Sequence, residues 1–253
     1  MLLFLYSIQG HSYIDGFQTV PADPVPHGVV HFGLKIGTYS SLNLVDIPLS
    51  GKLLLGPMLY FDMGLGDIAD FHASWDGYRS LKEDSQFGNT GEWGDPYFHT
   101  KLRLLHGQDV PTVAISFGAK EPAASDESHL GTDQADLFIV THFSKPFLST
   151  LCHINFGLGI YGDQNGLARQ KDAVMYSGLV EYELMPGFEM GWELAGQFKE
   201  SGSDLNRGVM RLGLKKNISQ KWDVHLLGSA GFISQSEEWG LLMGIQYSNK
   251  ILK

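Results

Sequence analysis

The feature that most constrains this sequence is an alternation of apolar and polar residues that recurs in long segments along most of the chain. Side chains of a β-strand point alternately to its two faces, so each such segment has one apolar and one polar face. In the segment 151–161, for example, Ile154 and Phe156 alternate with His153 and Asn155. The pattern predicts an all-β protein whose strands separate two different environments.

The length of these segments indicates which environments they separate. Strands of soluble proteins usually have about five or six residues, whereas a tilted strand that crosses a bilayer needs about nine to eleven. Most of the segments here reach the longer value. Glycines and charged residues share one face, and tryptophans and tyrosines lie near the segment ends, as in the aromatic girdles of outer-membrane barrels. We therefore predict an antiparallel up-and-down transmembrane β-barrel.

The number of strands follows from the segments. Alternation, or a strand-like composition, is found at 29–39, 42–54, 57–66, 68–79, 96–105, 112–121, 135–144, 151–162, 174–184, 188–200, 207–217, 222–233 and 238–248. Pro48 and Gly51 interrupt the second segment, and bacterial single-chain barrels usually have an even number of strands. About twelve strands are therefore expected. Short turns are predicted at 107–109, 185–187 and 216–220, and long polar loops at 80–95, 121–134, 163–173 and 200–206.

Length and composition limit the other possibilities. The chain has 253 residues and a net charge of -10, from 18 Lys and Arg against 28 Asp and Glu. This balance is unfavourable for nucleic-acid binding, which needs clustered cations, and the single Cys152 excludes an intramolecular disulfide. We expect one barrel domain over 28–253. Residues 1–27 are expected to hold a signal-peptide remnant and an extended, proline-containing lead-in.

Motifs at turns and strand ends add a family resemblance. They lie within 94–163 and comprise Gly94-Asp95-Pro96, Gly118-Ala119-Lys120-Glu121-Pro122, Gly131-Thr132-Asp133-Gln134 and Asn155-Phe156-Gly157-Leu158-Gly159. The segment resembles the outer-membrane β-barrel family named for the MetA pathway of phenol degradation. The resemblance implies a porin-like, non-enzymatic channel or transporter for small aromatic or other hydrophobic molecules. It also implies a bacterial outer membrane, contact with its lipid, and insertion by the outer-membrane assembly machinery.

The polar face of the strands supplies the candidate site residues, because it should face the barrel interior. Ten of them are Lys35, His99, Lys101, Arg103, Lys120, Glu181, Glu189, Glu193, Lys199 and Arg211. Such a mixed set of charges could line a polar passage. Alternatively, opposite charges could pair inside the barrel, since isolated buried charge is costly. The two interpretations predict different interiors, one open and one filled.

Two other classes of protein remain open on the sequence. The segment 68–79 carries Asp70, His72, Ser74 and Asp76 on one face, and serine, histidine and a carboxylate are the parts of a hydrolase triad; a barrel lipid hydrolase would use His72 and Ser74. A soluble ligand-binding barrel would instead bury the apolar face inside. The histidines show no ligand-type spacing, so no metal or other cofactor is expected.

Overall fold

A computed structural model of the chain describes residues 16–41, 49–162, 171–199, 206–233 and 236–252. Within these residues, fourteen strands belong to one sheet. They are β1 (Val29–Ser40), β2 (Lys52–Gly64), β3 (Ala69–Trp75), β4 (Tyr78–Asp84), β5 (Gly88–Trp93), β6 (Pro96–Leu105), β7 (Thr112–Lys120), β8 (Asp136–Phe147), β9 (Thr150–Tyr161), β10 (Lys171–Met185), β11 (Phe188–Lys199), β12 (Arg207–Asn217), β13 (Trp222–Gly231) and β14 (Trp239–Lys250). No helix of the described residues is long and apolar enough to cross a membrane.

The sheet closes on itself, because β1 pairs antiparallel with both β2 and β14. Fourteen strands occupy twelve positions around the barrel. Along β2, Trp75 of β3 pairs with Leu59 and Arg79 of β4 pairs with Leu55, so β3 and β4 form one interrupted strand. Strands β5 and β6 continue one another in the same way across residues 94–95. The predicted closed, up-and-down barrel of about twelve strands is confirmed.

Two local predictions differ from the structure. The predicted loop 80–95 is wrong, because β4 and β5 form a hairpin there. This hairpin lies at one end of the barrel and lacks the regular apolar face by which the other strands were recognised. In the predicted segment 42–54, residues 42–48 lie outside the described part. Residues 52–54 join 57–64 in the single strand β2, which passes through Pro57 with a register irregularity opposite β1.

The outer face of the barrel carries the apolar residues. Phe156, predicted to face inward in a soluble barrel, has 56% of its surface exposed, and the neighbouring Leu158 has 50%. Aromatic rings group near the barrel ends: Trp75 stacks on Trp93 at a centroid distance of 5.1 Å, and Trp222 lies 5.0 Å from a tyrosine of β14. An exterior of this kind belongs in a bilayer, since water would leave a continuous apolar belt unsolvated.

The two ends of the barrel differ. One end, called here the short-turn end, carries the connections 65–68, 106–111, 148–149, 186–187 and 218–221. The other, the long-loop end, carries the β4–β5 tip and the longer connections, including 121–135 and 232–238. In outer-membrane barrels short turns face the periplasm and long loops face the outside.

Candidate functional site: the barrel interior

Residues 16–28, called here the inner segment, run through the barrel interior before β1 begins. Near the short-turn end, the backbone N–H of Val25 donates to Asp70 of β3 over 2.9 Å. The ammonium of Lys101 on β6 donates to the carbonyls of Pro21 and Asp23, at 2.8 and 3.0 Å. The inner segment is therefore attached to the wall by side chains that reach its backbone.

The middle of the inner segment is fixed by a hydrogen-bonded chain across three strands. The backbone N–H of Ala22 donates to Oγ of Ser144 over 2.7 Å, and this hydroxyl lies 2.6 Å from Nδ1 of His153. The other ring nitrogen of His153 lies 3.2 Å from the carboxylate of Glu181. Serine, histidine and carboxylate occur together here, but Ser144 is only 3% exposed and is covered by the inner segment. In this state the hydrogen bonds from Ser144 through His153 to Glu181 anchor the inner segment to the wall.

The far part of the inner segment reaches the opposite wall. Thr19 donates from both its backbone N–H and its hydroxyl to Glu193 of β11, at 2.6 and 2.7 Å. Glu193 is 0% exposed, and its second oxygen accepts from Arg211 over 2.6 Å. The carbonyl of Val20 lies 3.2 Å from Nδ1 of His142. A buried carboxylate is thus satisfied from one side by the wall and from the other by the inner segment.

Phe17 is the apolar anchor of the inner segment. It lies in a buried cluster with Met58, Leu179, Leu227 and Leu242, contributed by four strands. The structure therefore places the inner segment against strands on all sides of the interior. The sequence predicted an extended lead-in but not its position. Residues 16–28 show no alternation of apolar and polar side chains that would indicate which surface they contact.

The charged residues predicted on the polar face, apart from Lys199, lie in the interior with opposite charges or aromatic rings beside them. Lys120 pairs with Asp136 over 2.8 Å, and Glu189 pairs with Lys215 over 2.7 Å. Arg103 lies 3.5 Å from Asp23 of the inner segment. Lys101 pairs with Asp70 over 3.1 Å, in addition to its contacts with the inner segment.

The remaining candidates make other contacts. The ammonium of Lys35 lies 4.6 Å from the ring centroid of Tyr60. His99 stacks on His72 at a centroid distance of 4.4 Å. Lys199 ends β11, and its side chain lies outside the described part of the structure. The role of all ten residues in lining a passage stays a prediction.

The structure does not bring together the residues of the hydrolase hypothesis at β3. Asp70 pairs with Lys101, whereas Asp76 pairs with Arg79 over 2.6 Å. His72 is hydrogen-bonded to Asp62 of β2. Ser74 lies two residues from His72, a spacing of about 7 Å along a strand. The imidazole and the carboxylates are therefore engaged by separate partners, and β3 does not assemble a nucleophile with its base.

Two carboxylates at the long-loop end, outside the membrane-spanning part, have pKa values that their surroundings lower. Burial alone would raise the pKa of Glu237, but Arg207, which donates two hydrogen bonds at 3.1 and 2.5 Å, holds that pKa below its ordinary value. Burial alone would also raise the pKa of Asp84, but hydrogen bonds from the backbone N–H groups of 86–87 and 50–51 hold that pKa below its ordinary value. Both carboxylates fix loop ends in their ionised form.

A cavity of about 230 Å³ adjoins the inner segment on its long-loop side. Strands β6 to β11 form its wall, and Gln18 and Val20 contribute to it from the inner segment. Its polar side chains include Ser116, His142 and Asn155, and its lining contains no Asp, Glu, Lys or Arg. Nε2 of His142 lies 2.7 Å from the Ser116 hydroxyl.

Asn155 is the unusual member of this lining. It is 4% exposed, and its Oδ1 atom interacts with the ring of His142 but has no well-aligned hydrogen-bond donor among the described residues. Sequence alternation assigns Asn155 and Ser116 correctly to the polar face, but it gave no reason to single them out from other uncharged residues. Among the described residues, no group of three or more His, Cys, Asp and Glu side chains is arranged to hold a metal ion.

Known proteins resemble this chain in their fold and not in their sequence. No protein-family model and no curated protein sequence matches the chain, so the resemblance to the phenol-degradation family stays a prediction. Among solved structures, an outer-membrane channel of Pseudomonas putida F1 is similar over 90% of this chain and 98% of its own, with 14% identity and a TM-score of 0.65.

Two further structures share the fold. The NanC porin is similar over 85% of this chain and 98% of its own, with 12% identity and a TM-score of 0.58. The translocator domain of the autotransporter NalP from Neisseria meningitidis is similar over 92% of this chain and 90% of its own, with 12% identity and a TM-score of 0.58. These proteins have different functions, so the likeness shows the fold alone. Together with the apolar exterior, that fold places the chain in a bacterial outer membrane.

Proposed function

We propose that this protein is an outer-membrane channel for small molecules and that the inner segment closes its passage in the state described. The observation that carries the proposal is the composition of the interior, where a polar wall surrounds a segment attached by side-chain contacts. The sequence resemblance to a family linked with aromatic compounds supports aromatic or other hydrophobic molecules as the substrates. The similarity to a channel and a porin is consistent with this function.

Movement of the inner segment would leave the barrel itself intact. The strand ladder closes through β1 and β14 without any bond from residues 16–25. Phe17 would leave its apolar cluster, but the other groups that would lose their partners, such as Lys101, Glu193 and Ser144, are polar. Water entering the interior could solvate them, so the cost of opening would be smaller than the cost of exposing an apolar core.

A reversible cross-link tests this closure. The N–H of Ala22 lies 2.7 Å from Oγ of Ser144, so cysteines at the two positions are close enough to be joined. We would combine Ala22→Cys and Ser144→Cys with Cys152→Ser, which removes the native thiol. In planar lipid bilayers, the reduced protein is expected to open and conduct ions, whereas the oxidised protein is expected to stay closed.

The two single-cysteine variants, each also carrying Cys152→Ser, are the matched controls. Their conductance is expected to be the same before and after oxidation, because neither can form the intramolecular cross-link. Equal conductance of the reduced and oxidised double variants would contradict closure by the inner segment. Lack of conductance in the reduced form under all applied voltages would contradict the channel itself.

A further inference from the structure

We propose that the cavity beside the inner segment is a binding site for a small uncharged molecule with an apolar ring and one hydrogen-bond donor. The donor would be received by Oδ1 of Asn155. The inference deepens the proposed function and rests on it for the route by which the ligand arrives, from the long-loop end. The binding itself requires only the cavity described above.

The hydrogen-bonding capacity of the cavity defines the polar part of the ligand. Buried side-chain oxygens are nearly always paired, because leaving one without a donor costs free energy. Oδ1 of Asn155 interacts with the His142 ring but has no well-aligned donor among the described residues, so it still bears this cost, whereas the neighbouring hydroxyl of Ser116 is hydrogen-bonded to His142. A ligand that brings a hydroxyl or N–H group to Asn155 would remove the cost.

The rest of the lining defines the charge and shape of the ligand. Phe138, Val140 and Met175 contribute apolar surface, and the lining contains no Asp, Glu, Lys or Arg side chain. Several charged groups elsewhere in the interior are already paired, as Lys101 is with Asp70. A charged ligand would therefore lose its hydration without gaining a counter-ion. The volume of about 230 Å³ accommodates one six-membered ring with a substituent.

The position of the cavity connects binding with the inner segment. Gln18 and Val20 form part of the lining, next to Thr19, which is bonded to Glu193. A molecule arriving from the long-loop end would thus contact the segment that separates it from the short-turn end. Gln18, Thr19 and Val20 would then take part both in binding the ligand and in closing the passage.

The experiment compares three fluorinated probes by fluorine NMR with purified, detergent-solubilised protein: 4-fluorobenzyl alcohol, 4-fluorotoluene and 4-fluorobenzoate. We expect saturable binding of the alcohol, weaker binding of the toluene and no saturable binding of the benzoate. Asn155→Leu should remove the preference for the alcohol over the toluene, a change of about three- to tenfold for one neutral hydrogen bond. Detergent micelles take up each probe equally for every variant, so differences between variants report the site.

Two further variants complete the test. Asn249→Leu makes the same chemical change at a partly exposed residue near the short-turn end, outside the cavity, and should leave the preference unchanged. Ser177→Phe, which projects a ring into the cavity from β10, should abolish saturable binding of both neutral probes. Folding of each variant is checked by its heat-dependent mobility on gels. Unchanged alcohol binding by Ser177→Phe, or an unchanged preference in Asn155→Leu, would overturn the proposed site.

The outcomes separate this inference from the proposed function. A protein that binds the alcohol as expected but never conducts would overturn the channel and leave the site. A protein that conducts and responds to the cross-link, yet shows no saturable binding of the alcohol, would overturn the site and leave the channel.

Discussion

The two halves of the inner segment are held in the interior by different interactions. At one end Phe17 packs in an apolar cluster with side chains from four strands. At the other end, residues 21–25 are held by Lys101, Asp70 and Ser144 through hydrogen bonds and a buried ion pair. Apolar packing depends on shape and volume, whereas a buried ion pair stabilises only while both partners are present. The halves should therefore be separable by mutation.

The largest effect is expected from Lys101→Met, which breaks the ionic half. Asp70 would stay buried without its cation, and two carbonyls of the inner segment would lose their donor. We expect a loss of about 3–5 kcal/mol in the free energy of unfolding, measured by urea denaturation with gel mobility as the readout. Hydrogen exchange at the amide of Val25 should accelerate more than exchange at Thr19.

The control for this prediction is Lys52→Met. Lys52 pairs with Glu83 over 2.9 Å, but the two side chains are 63% and 72% exposed. An exposed pair contributes about 0–1 kcal/mol. A loss for Lys101→Met no greater than that for Lys52→Met would show that the ionic half adds nothing beyond a surface contact.

The second effect comes from Phe17→Ala, which breaks the apolar half. Truncating a buried phenylalanine costs about 3–5 kcal/mol where the surroundings stay in place. Here the end of the inner segment can detach instead, so we expect a loss near the lower limit. Exchange at the amide of Thr19 should accelerate, while the amide of Val25 stays protected. Equal acceleration at both amides would mean that the two halves leave the wall together.

A smaller effect is expected from Thr19→Val, which changes one contact between the halves. The variant keeps the side-chain shape and the backbone N–H bond to Glu193, and it removes only the hydroxyl donor. Loss of this bond should cost about 1 kcal/mol or somewhat more, since the acceptor is a carboxylate. Thr38→Val on the outer face of β1 is the control and should cost almost nothing. Urea denaturation of both variants would decide, and equal losses would contradict the assignment.

The smallest effect on the inner segment is expected from acid at the long-loop end. The pKa of Glu237 is lowered in the folded protein, so its stabilising contribution is present above its ordinary value of 4.5 and is lost as pH falls through the folded-state pKa. Hydrogen exchange at the amides of Ser236 and Glu238 should therefore be slower in wild type than in Glu237→Gln at neutral pH, and the difference should vanish in acid. Protection of Thr19 should be the same in both proteins at each pH. A difference that persists below the folded-state pKa would contradict the Arg207 pairing.

Some features of this protein could be predicted from residue order alone. Alternation in segments such as 151–161 specifies both the strand and its two faces, because a one-residue shift would exchange the faces. The charged candidates from Lys35 to Arg211 were placed on the polar face by this parity. The hairpin of β4 and β5 could not be predicted from alternation, because a strand beyond the apolar belt needs no regular apolar face.

The contents of the interior required the tertiary structure. Parity gives the direction of a side chain but not its partner: Lys101 meets Asp70 because β3 and β6 are neighbours, although residues 70 and 101 are far apart in sequence. The inner segment has no periodic signal, and its position depends on contacts with most of the wall at once. The alternation of residues thus specified a membrane barrel with a polar interior. Only the closed sheet, which brings distant strands around one lumen, decided that a segment of the same chain lies inside it.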